Sequence, residues 1–486
     1  MVKISKKKNK ITITPVGYSA ESVTGSCNIL TYDGCCVAIE LGGIQEGHTI
    51  LQNYNMNKKM LSNIKAKELQ YIFVEHLHYD HIGMIPAMYA TGKCTAKIIT
   101  PIGSTRILKE MWMDSAHIME RDCDTLYRKT GKIYNPFYNE NDITEALLHI
   151  EEFVSDEVIN LTDTLSFRYR NAGHIMLSNQ LELYVKLGNH KTKILVTSDL
   201  GNLTTESERV FVEDFYRVEK ANIVIGESTY GLRDLRNSKK DFKKDLEKIK
   251  SAIEQYCVDN NNRILIPTFS LDKMAVVLWY LYKMFGNDEN FKVPIIVDSP
   301  LAIRLLRHYS DILEEFNDER IEKFKEMMSW KNIQLITDHD ASVSCIEDKN
   351  SKVVLSSGGM LQSGRSVSWA QSIIPQSNDC IMFMGYCGKD TLGYNIKHSK
   401  QQKTVTINNK ILANRCQIIE LLSFSSHMQH ADLVNYYKSI TADKIYLLHG
   451  DEQARIELKQ NLQEELSKMC KSTKVSIINK STVINV

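Results

Sequence analysis

The sequence has almost no net charge: 60 lysines and arginines stand against 59 aspartates and glutamates, leaving a formal charge of +1. A single-sign field over the whole surface is excluded, so any grip on a polyanion must come from a local patch. No C-x-x-C pair occurs among the eleven cysteines, whose closest neighbours are Cys35 and Cys36. An odd number of thiols without a framework argues against a disulfide-built secreted scaffold and for reduced cysteines in the cytoplasm. The greasiest stretch, Met274–Tyr282, is too short to cross a bilayer and has the length of a buried helix, so no membrane role is expected. The basic start MVKISKKKNK runs into ITITPVGYS with no apolar leader core or small-residue cleavage site. Internal repeats and low-complexity linkers are also missing.

What is present is an ordinary globular composition, 43% hydrophobic and 24% charged over 486 residues, enough for two to four domains. Short strands rich in Ile, Val and Tyr are expected at Ile11–Pro15, Asn28–Tyr32, Cys36–Leu41, Ile72–Val74, Leu165–Arg170, Gln180–Lys186 and Ile194–Thr197. Arg106 to Phe153 reads as helical. This mixture suggests a layered sandwich. From about Gly231 the style changes. Helices at Ser238–Tyr256, Met274–Phe285 and Asp311–Trp330 alternate with continuous apolar strands at Arg263–Pro267, Val293–Asp298, Lys352–Ser356 and Ile381–Met384. Such strands read as a parallel sheet buried on both faces. After about Leu392 the strand-rich style returns, with Lys403–Ile407, Cys416–Leu421, Lys444–Leu448 and a helix from Glu452 to Lys468. A strand-rich domain interrupted by an inserted α/β domain fits, with boundaries at 1–230, 231–390 and 391–486.

The densest chemistry lies in Val74-Glu-His76-Leu-His78-Tyr-Asp80-His81, directly after a strand. Imidazole nitrogen and carboxylate oxygen are the atoms zinc accepts, and a loop at a strand end can turn alternate side chains toward two neighbouring ions. By chance such a pattern should arise on the order of once per thousand chains of this composition, so a merely polar loop is the weaker reading. Asn171-Ala-Gly-His174 and Ile194-Leu-Val-Thr-Ser-Asp199 each end a strand. Alone, a histidine is more often a core or surface residue and an aspartate a cap; behind the first motif the two gain weight together. His427, His430 and His449 could each complete the site, and the residues alone do not rank them.

Val16-Gly17, Ser22-Val-Thr-Gly-Ser-Cys27, His76 to His81, Gly173-His174 and Ser198-Asp199 together resemble the metallo-β-lactamase hydrolases. Glu227-Ser-Thr-Tyr-Gly231, Ile266-Pro-Thr-Phe-Ser270, Asp298-Ser-Pro300, Ser357-Gly-Gly-Met360 and Thr391-Leu-Gly393 narrow the resemblance to the β-CASP branch. That branch holds the endonuclease subunit of the cleavage and polyadenylation factor and bacterial and archaeal RNA-processing members. The matches run in order from near residue 15 to about residue 455. They imply an α/β architecture: an αββα sandwich interrupted by an inserted Rossmann-like parallel α/β domain, the β-CASP domain.

The resemblance also implies roles. His76, His78 and His174 would hold one zinc, Asp80, His81 and His449 the other, with Asp199 bridging. His427, in Ser423-Phe-Ser-Ser-His427, takes the place of the catalytic histidine of RNA-cutting members; Glu227 matches its acidic partner, and His430 matches nothing functional. Two zinc ions per chain would activate hydroxide for attack on a phosphodiester, with Asp80 and Asp199 in the catalytic set and His427 supplying the leaving group's proton. Single-stranded RNA is the expected substrate, DNA the alternative. The histidine at 427 leans toward RNA, because DNA-cutting members carry valine there.

Ser357, Gly358, Lys273 and Thr391, and also Arg365, are candidate contacts to substrate phosphate, since small-residue loops at strand C-terminal edges can cradle anions. As bare turns they read equally well. The basic run Arg233–Lys250 could track a nucleic-acid backbone, though such a run is more often a solvated helix face. Glu40 and Glu75 could orient imidazoles; a solvent-facing Glu75 is at least as plausible. The family pattern is broken at Glu40, usually Asp, at Asp272 and Lys273, usually Gly and Arg, at Tyr394, often basic, and at Met428-Gln429, often a Thr-Asp type pair. Two rival readings are a catalytically weak scaffold subunit of an RNA-processing complex and a small-molecule hydrolase. Intact ligands disfavour the first and the inserted domain the second. With no separate RNA-binding module in the sequence, targeting is expected from a homodimer or an RNA-processing partner.

Overall fold

The computed structural model describes residues 10–45, 49–203, 210–232, 239–316, 318–385, 387–389, 391–399, 403–479 and 482–485. It divides into two compact units: Met1–Glu206, Val212–Asp234 and Ser426–Val486 form the first, Ser207–Phe211 and Leu235–Ser425 the second.

The first unit is built on two seven-stranded sheets. One runs, edge to edge, through Ile484–Asn485, Thr12–Pro15, Asn28–Tyr32, Cys35–Ile39, Tyr71–Phe73, Lys97–Pro101 and Ile150–Phe153. The other runs through Lys474–Ile477, Lys444–Leu447, Ile223–Gly226, His190–Val196, Asn179–Leu187, Leu165–Asn171 and Ile159–Asn160. Alternate residues of both meet in one core, where Ile13, Leu30, Val37 and Phe73 of the first sheet join Phe167, Tyr169, Leu183 and Ile194 of the second. Each fully buried side chain of this size contributes about 1.5–3 kcal/mol. The outer face of the second sheet is covered by helices His430–Ser439 and Glu452–Lys468 through Leu433, Tyr437, Leu458 and Leu462. Helix Ser104–Thr130 holds to the loops above the first sheet, where the Trp112 indole donates to the Ile82 carbonyl at 3.0 Å. The sandwich read from the sequence is therefore the observed architecture.

The second unit carries a six-stranded, wholly parallel sheet in the order Ile333–Leu335, Ile295–Asp298, Lys352–Ser357, Arg263–Thr268, Cys380–Phe383, Gln417–Glu420. Val354, Leu265 and Ile381 from its centre pack with Trp369 and Ile373 of helix Arg365–Ile373. Strands buried on both faces cannot alternate polar with apolar, which is why they read as continuous hydrophobic runs.

Three local expectations change. The helical stretch 106–153 is two helices, Ser104–Thr130 and Glu140–Leu148, followed by the strand Ile150–Phe153, whose parallel pairing with Lys97–Pro101 overrides its local preference. The helix expected over 311–330 is also two, Pro300–Glu315 and Arg320–Met328. Finally, Gln417–Glu420 pairs in parallel with Cys380–Phe383, so the second unit runs on to Ser425 whereas the sequence pattern closes the inserted domain at 390.

Candidate functional site

Every candidate metal ligand leaves the sandwich at one edge, and for Asp199 and His449 parallel pairing aligns the strand C-termini. Val196 pairs with Ile225 and Gly226 with Leu447, so Asp199, Glu227 and His449 follow three adjacent strands at the same level. Tyr71–Phe73 delivers the loop carrying His76 and His78, and a short helix, Tyr79–Ile82, presents Asp80 and His81. His174 follows Leu165–Asn171. Glycines let these loops meet. A Cβ at Gly42 would fall 1.6 Å from the Asp80 carbonyl oxygen, and one at Gly201 would fall 1.8 Å from that of Gly173. A Gly42→Ala variant should lose about 2–4 kcal/mol of stability and bind zinc more weakly, readable as melting temperature and bound metal.

The side chains form two adjoining clusters. His76, His78, His174 and Asp199 bring their ligand atoms within 4.8 Å of one another, as do Asp80, His81 and His449. Asp199 Oδ2 stands 3.6 Å from His76 Nε2, 3.6 Å from His81 Nε2 and 3.7 Å from His174 Nε2, and its Oδ1 also meets the far nitrogen of His449, Nδ1, at 3.2 Å. It therefore faces both clusters. Asp80 Oδ2 lies 3.4 Å from His81 Nε2 and 3.8 Å from His449 Nε2, and His174 Nε2 lies 3.4 Å from His78 Nδ1. Ligands about 2.0–2.2 Å from a tetrahedral zinc sit about 3.3–3.6 Å apart. Most of these spacings match.

The far nitrogens are fixed. His81 Nδ1 meets Glu40 Oε1 at 2.6 Å, His76 Nδ1 meets Ser198 Oγ at 3.0 Å, and His449 Nδ1 meets Thr229 Oγ1 at 3.1 Å. The longer carboxylate at Glu40 thus still reaches its imidazole. The Nε2 atoms of His76, His81 and His449 are buried without a hydrogen-bond partner, a costly state for a polar atom that a cation would relieve. Electrostatics point the same way. Burial, then the neighbouring His81 and His78, hold His76 well below the ordinary imidazole value, in the neutral form that binds metal. Burial opposes charge on His81 as well, but Glu40, Asp80 and Asp199 outweigh it and raise that ring. Burial likewise pushes the Asp199 carboxyl up. This concentration of buried negative charge suits a divalent ion. Glu40, Ser198 and His449 have φ of +62, +54 and +53, left-handed values that L-residues with side chains rarely take and that cluster at functional sites.

His427 stands beside this centre. Its Nδ1 is 3.8 Å from Glu227 Oε1 and 4.0 Å from Asp199 Oδ2, its ring is 4.5 Å from that of His174, and 23% of its side chain is exposed. Glu227 is buried and held by the backbone N–H groups of Leu200 (2.8 Å) and Thr229 (3.0 Å). Burial alone would raise its carboxyl, but His427 and His449 keep it below the ordinary value. His430 faces elsewhere: Nδ1 donates to the Gly231 carbonyl at 2.6 Å, and Nε2 accepts from the Asn461 amide at 2.9 Å. It braces a loop.

In the second unit, Ser357 and Gly358 end the strand Lys352–Ser357, and Ser357 Oγ lies 2.8 Å from Ser299 Oγ. Thr391 caps helix Leu392–His398, and the Gly393 N–H donates to the Met360 carbonyl at 2.9 Å, joining the two small-residue loops. Lys273 donates its ammonium to the Phe424 carbonyl, and Arg365 donates to Asp298 Oδ1 at 2.6 Å and to the carbonyls of Ile336 and Thr337. Both cations thus serve the chain itself. Of the basic run 233–250, residues 233–238 and the side chains at 239 and 240 lie outside the described residues; Lys243 and Lys244 are exposed on helix Lys239–Ile253.

Glu75 is fully buried, so it does not face solvent; burial, then Glu40, push its carboxyl well above the ordinary value. Sequence reasoning missed the hydroxyls of Ser198 and Thr229, each one or two residues from a residue it had singled out.

Comparison with known proteins agrees with this geometry. A Beta-Casp domain model matches residues 274–396, and a model described as the Zn-dependent metallo-hydrolase RNA specificity domain matches residues 412–473. Ribonuclease TTHA0252 of Thermus thermophilus is 26% identical over 453 residues, covering 92% of this chain and 94% of the relative. Cleavage and polyadenylation specificity factor 73 of Drosophila melanogaster is 23% identical, covering 94% of this chain and 62% of the relative. Transcription termination factor FttA of Methanocaldococcus jannaschii is 22% identical, covering 83% and 62%. The chain thus spans about three-fifths of the latter two. A crystal structure of a protein of unknown function from Enterococcus faecalis V583 shares the fold, with a TM-score of 0.53 at 11% identity over 98% of this chain and 100% of that one. With paired His/Asp clusters at one edge of a two-sheet sandwich and both domain models matched in order, the chain carries a Beta-Casp domain and a Zn-dependent metallo-hydrolase RNA specificity domain.

Proposed function

We propose that this chain is a zinc-dependent ribonuclease that hydrolyses phosphodiester bonds in single-stranded RNA. The observation that carries the reading is the pair of His/Asp clusters facing a common Asp199. The names of the Thermus and Drosophila relatives, a ribonuclease and a cleavage factor, support RNA as substrate. His76, His78 and His174 would hold one zinc and Asp80, His81 and His449 a second, with Asp199 placed to serve both groups. Bound there, such ions would supply an activated water near neutral pH and offset charge on the phosphate oxygens.

The chain's own groups do the rest. Glu40, Ser198 and Thr229 hold the imidazoles in register from their far nitrogens. His427, partly exposed and close to Asp199, gives a proton to the departing oxygen; Glu227, fixed by two backbone N–H groups, orients that ring. Ser357, Gly358 and Thr391 contact substrate phosphate within the β-CASP domain, while Lys273 and Arg365, engaged with Phe424 and Asp298, hold the chain around them. All eleven cysteines are free, and no described helix is long and apolar enough to cross a membrane; a cytoplasmic enzyme acting as a homodimer or with an RNA-processing partner fits both facts.

The test is a cleavage assay on end-labelled single-stranded RNA and DNA with zinc-loaded protein. RNA should be cut, and Asp80→Ala should not cut it; intact RNA with the wild type defeats the reading. Chelation should stop cleavage and lower the melting temperature by about 5 °C or more, because metal binds only the folded site. Differential scanning calorimetry with and without chelator measures that shift.

A further inference from the structure

Phe269 is 49% exposed, at the end of the strand Arg263–Thr268 in the centre of the parallel sheet. Single exposed apolar side chains are common and need no explanation; the place of this one does. Thr268 pairs in register with Ser357, and the Gly358 N–H donates to the Thr268 carbonyl at 3.0 Å. Phe269 therefore leaves its strand beside the Ser357–Gly359 loop, at the C-terminal edge where parallel sheets take their ligands. The ring flanks Gly359. A Cβ there would come 3.2 Å from it, so glycine leaves that flank clear. No other described aromatic ring packs on Phe269, in contrast to the neighbouring cluster of Phe242, Tyr280 and Phe424.

We infer that Phe269 is a nucleobase platform: one base of a single-stranded substrate stacks on its ring while the adjoining phosphate lies on the Ser357–Gly359 loop. This rests on the ribonuclease reading and adds a subsite to it. Every base offers a π-face, so the platform holds a strand without reading its sequence and favours purines by their larger stacking area. An unpaired strand is required, because a base within a duplex has both faces covered. The ring works by surface alone and transfers no proton.

The test uses full-length, zinc-loaded protein under conditions where wild-type cleavage of RNA is first established. A single 2-aminopurine is moved stepwise along a short oligoribonucleotide, and binding is read in the Asp80→Ala background. At one position the wild-type platform should quench its fluorescence, and Phe269→Ala should remove that quench and weaken binding roughly 5- to 100-fold. Phe269→Trp should keep both. Phe269→Leu, which preserves an apolar side chain of similar bulk without a π-face, should behave like alanine and separates stacking from packing. An abasic nucleotide at the same position should weaken wild type by the same factor and leave Phe269→Ala unchanged. Binding by Phe269→Ala within two-fold of wild type, or an abasic penalty equal in both, overturns the platform while cleavage still supports the nuclease. Failure of the wild type to bind or cut RNA overturns both.

Discussion

Asp199→Ala should abolish RNA cleavage, by at least about three orders of magnitude, or roughly 4 kcal/mol of transition-state stabilisation. No other described carboxylate stands within 4 Å of His76, His81, His174 and His449 together. Losing it removes a ligand from both clusters at once, so bound zinc should fall from two per chain to one or fewer. The metal-free proteins should behave oppositely. Glu40, Asp80, Asp199 and Glu227 crowd one buried region, and burial already pushes the Asp199 carboxyl up. Removing it relieves part of that buried crowding. Apo Asp199→Ala should therefore melt at or above apo wild type, while the zinc-loaded comparison reverses. A scaffold role for Asp199 would lower both melting points alike.

How far the sequence foretold this centre depended on how locally each part is encoded. His76, His78, Asp80 and His81 fall within one short stretch of chain, so their chemistry is visible in a six-residue window. His174, Asp199 and His449 come from three other strand ends and gain meaning only once the second sheet brings those ends to one edge, by parallel pairing for Asp199 and His449 and across the antiparallel strand Asn179–Leu187 for His174. A window cannot show that. Ser198 and Thr229 were less legible still, because serine and threonine occur everywhere and only the 3.0 and 3.1 Å contacts to ring nitrogens single them out. The burial of Glu75 was hidden for a related reason: a glutamate beside a histidine at a strand end reads equally well facing water or facing the core. The fold was read well where periodicity was strong. Asn28–Tyr32 and helix Glu452–Lys468 carry the bounds their patterns suggest. Ile150–Phe153 was lost, since its IEEF sequence has no strand signal and is held by pairing with Lys97–Pro101.

His427→Ala should cut RNA about 10²- to 10⁴-fold more slowly, the range for loss of a positioned general acid, with both zinc ions retained. Retention follows from position: His427 groups with Asp199 and Glu227, its Nδ1 4.0 Å from Asp199, while the groups His76, His78, His174, Asp199 and Asp80, His81, His449 do not include it. A further measurement separates proton donation from positioning. Sulfur in place of the departing bridging oxygen leaves as a thiolate and needs no proton. On that substrate, the deficit of His427→Ala should shrink to within about ten-fold of wild type. Glu227→Gln should give a smaller defect of the same kind, since it perturbs the orientation of the His427 ring while leaving the imidazole in place. An undiminished deficit on the sulfur substrate would assign His427 to substrate positioning.

The central claim is that side chains from four strand ends hold two zinc ions around Asp199. X-ray absorption at the zinc edge, on protein depleted of metal and reloaded with two equivalents, tests it most directly. The account predicts nitrogen and oxygen neighbours at about 2.0–2.2 Å, no sulfur, and a zinc–zinc vector near about 3.5–4 Å that vanishes in Asp199→Ala. A single zinc with no metal neighbour, or sulfur among its ligands, would contradict it.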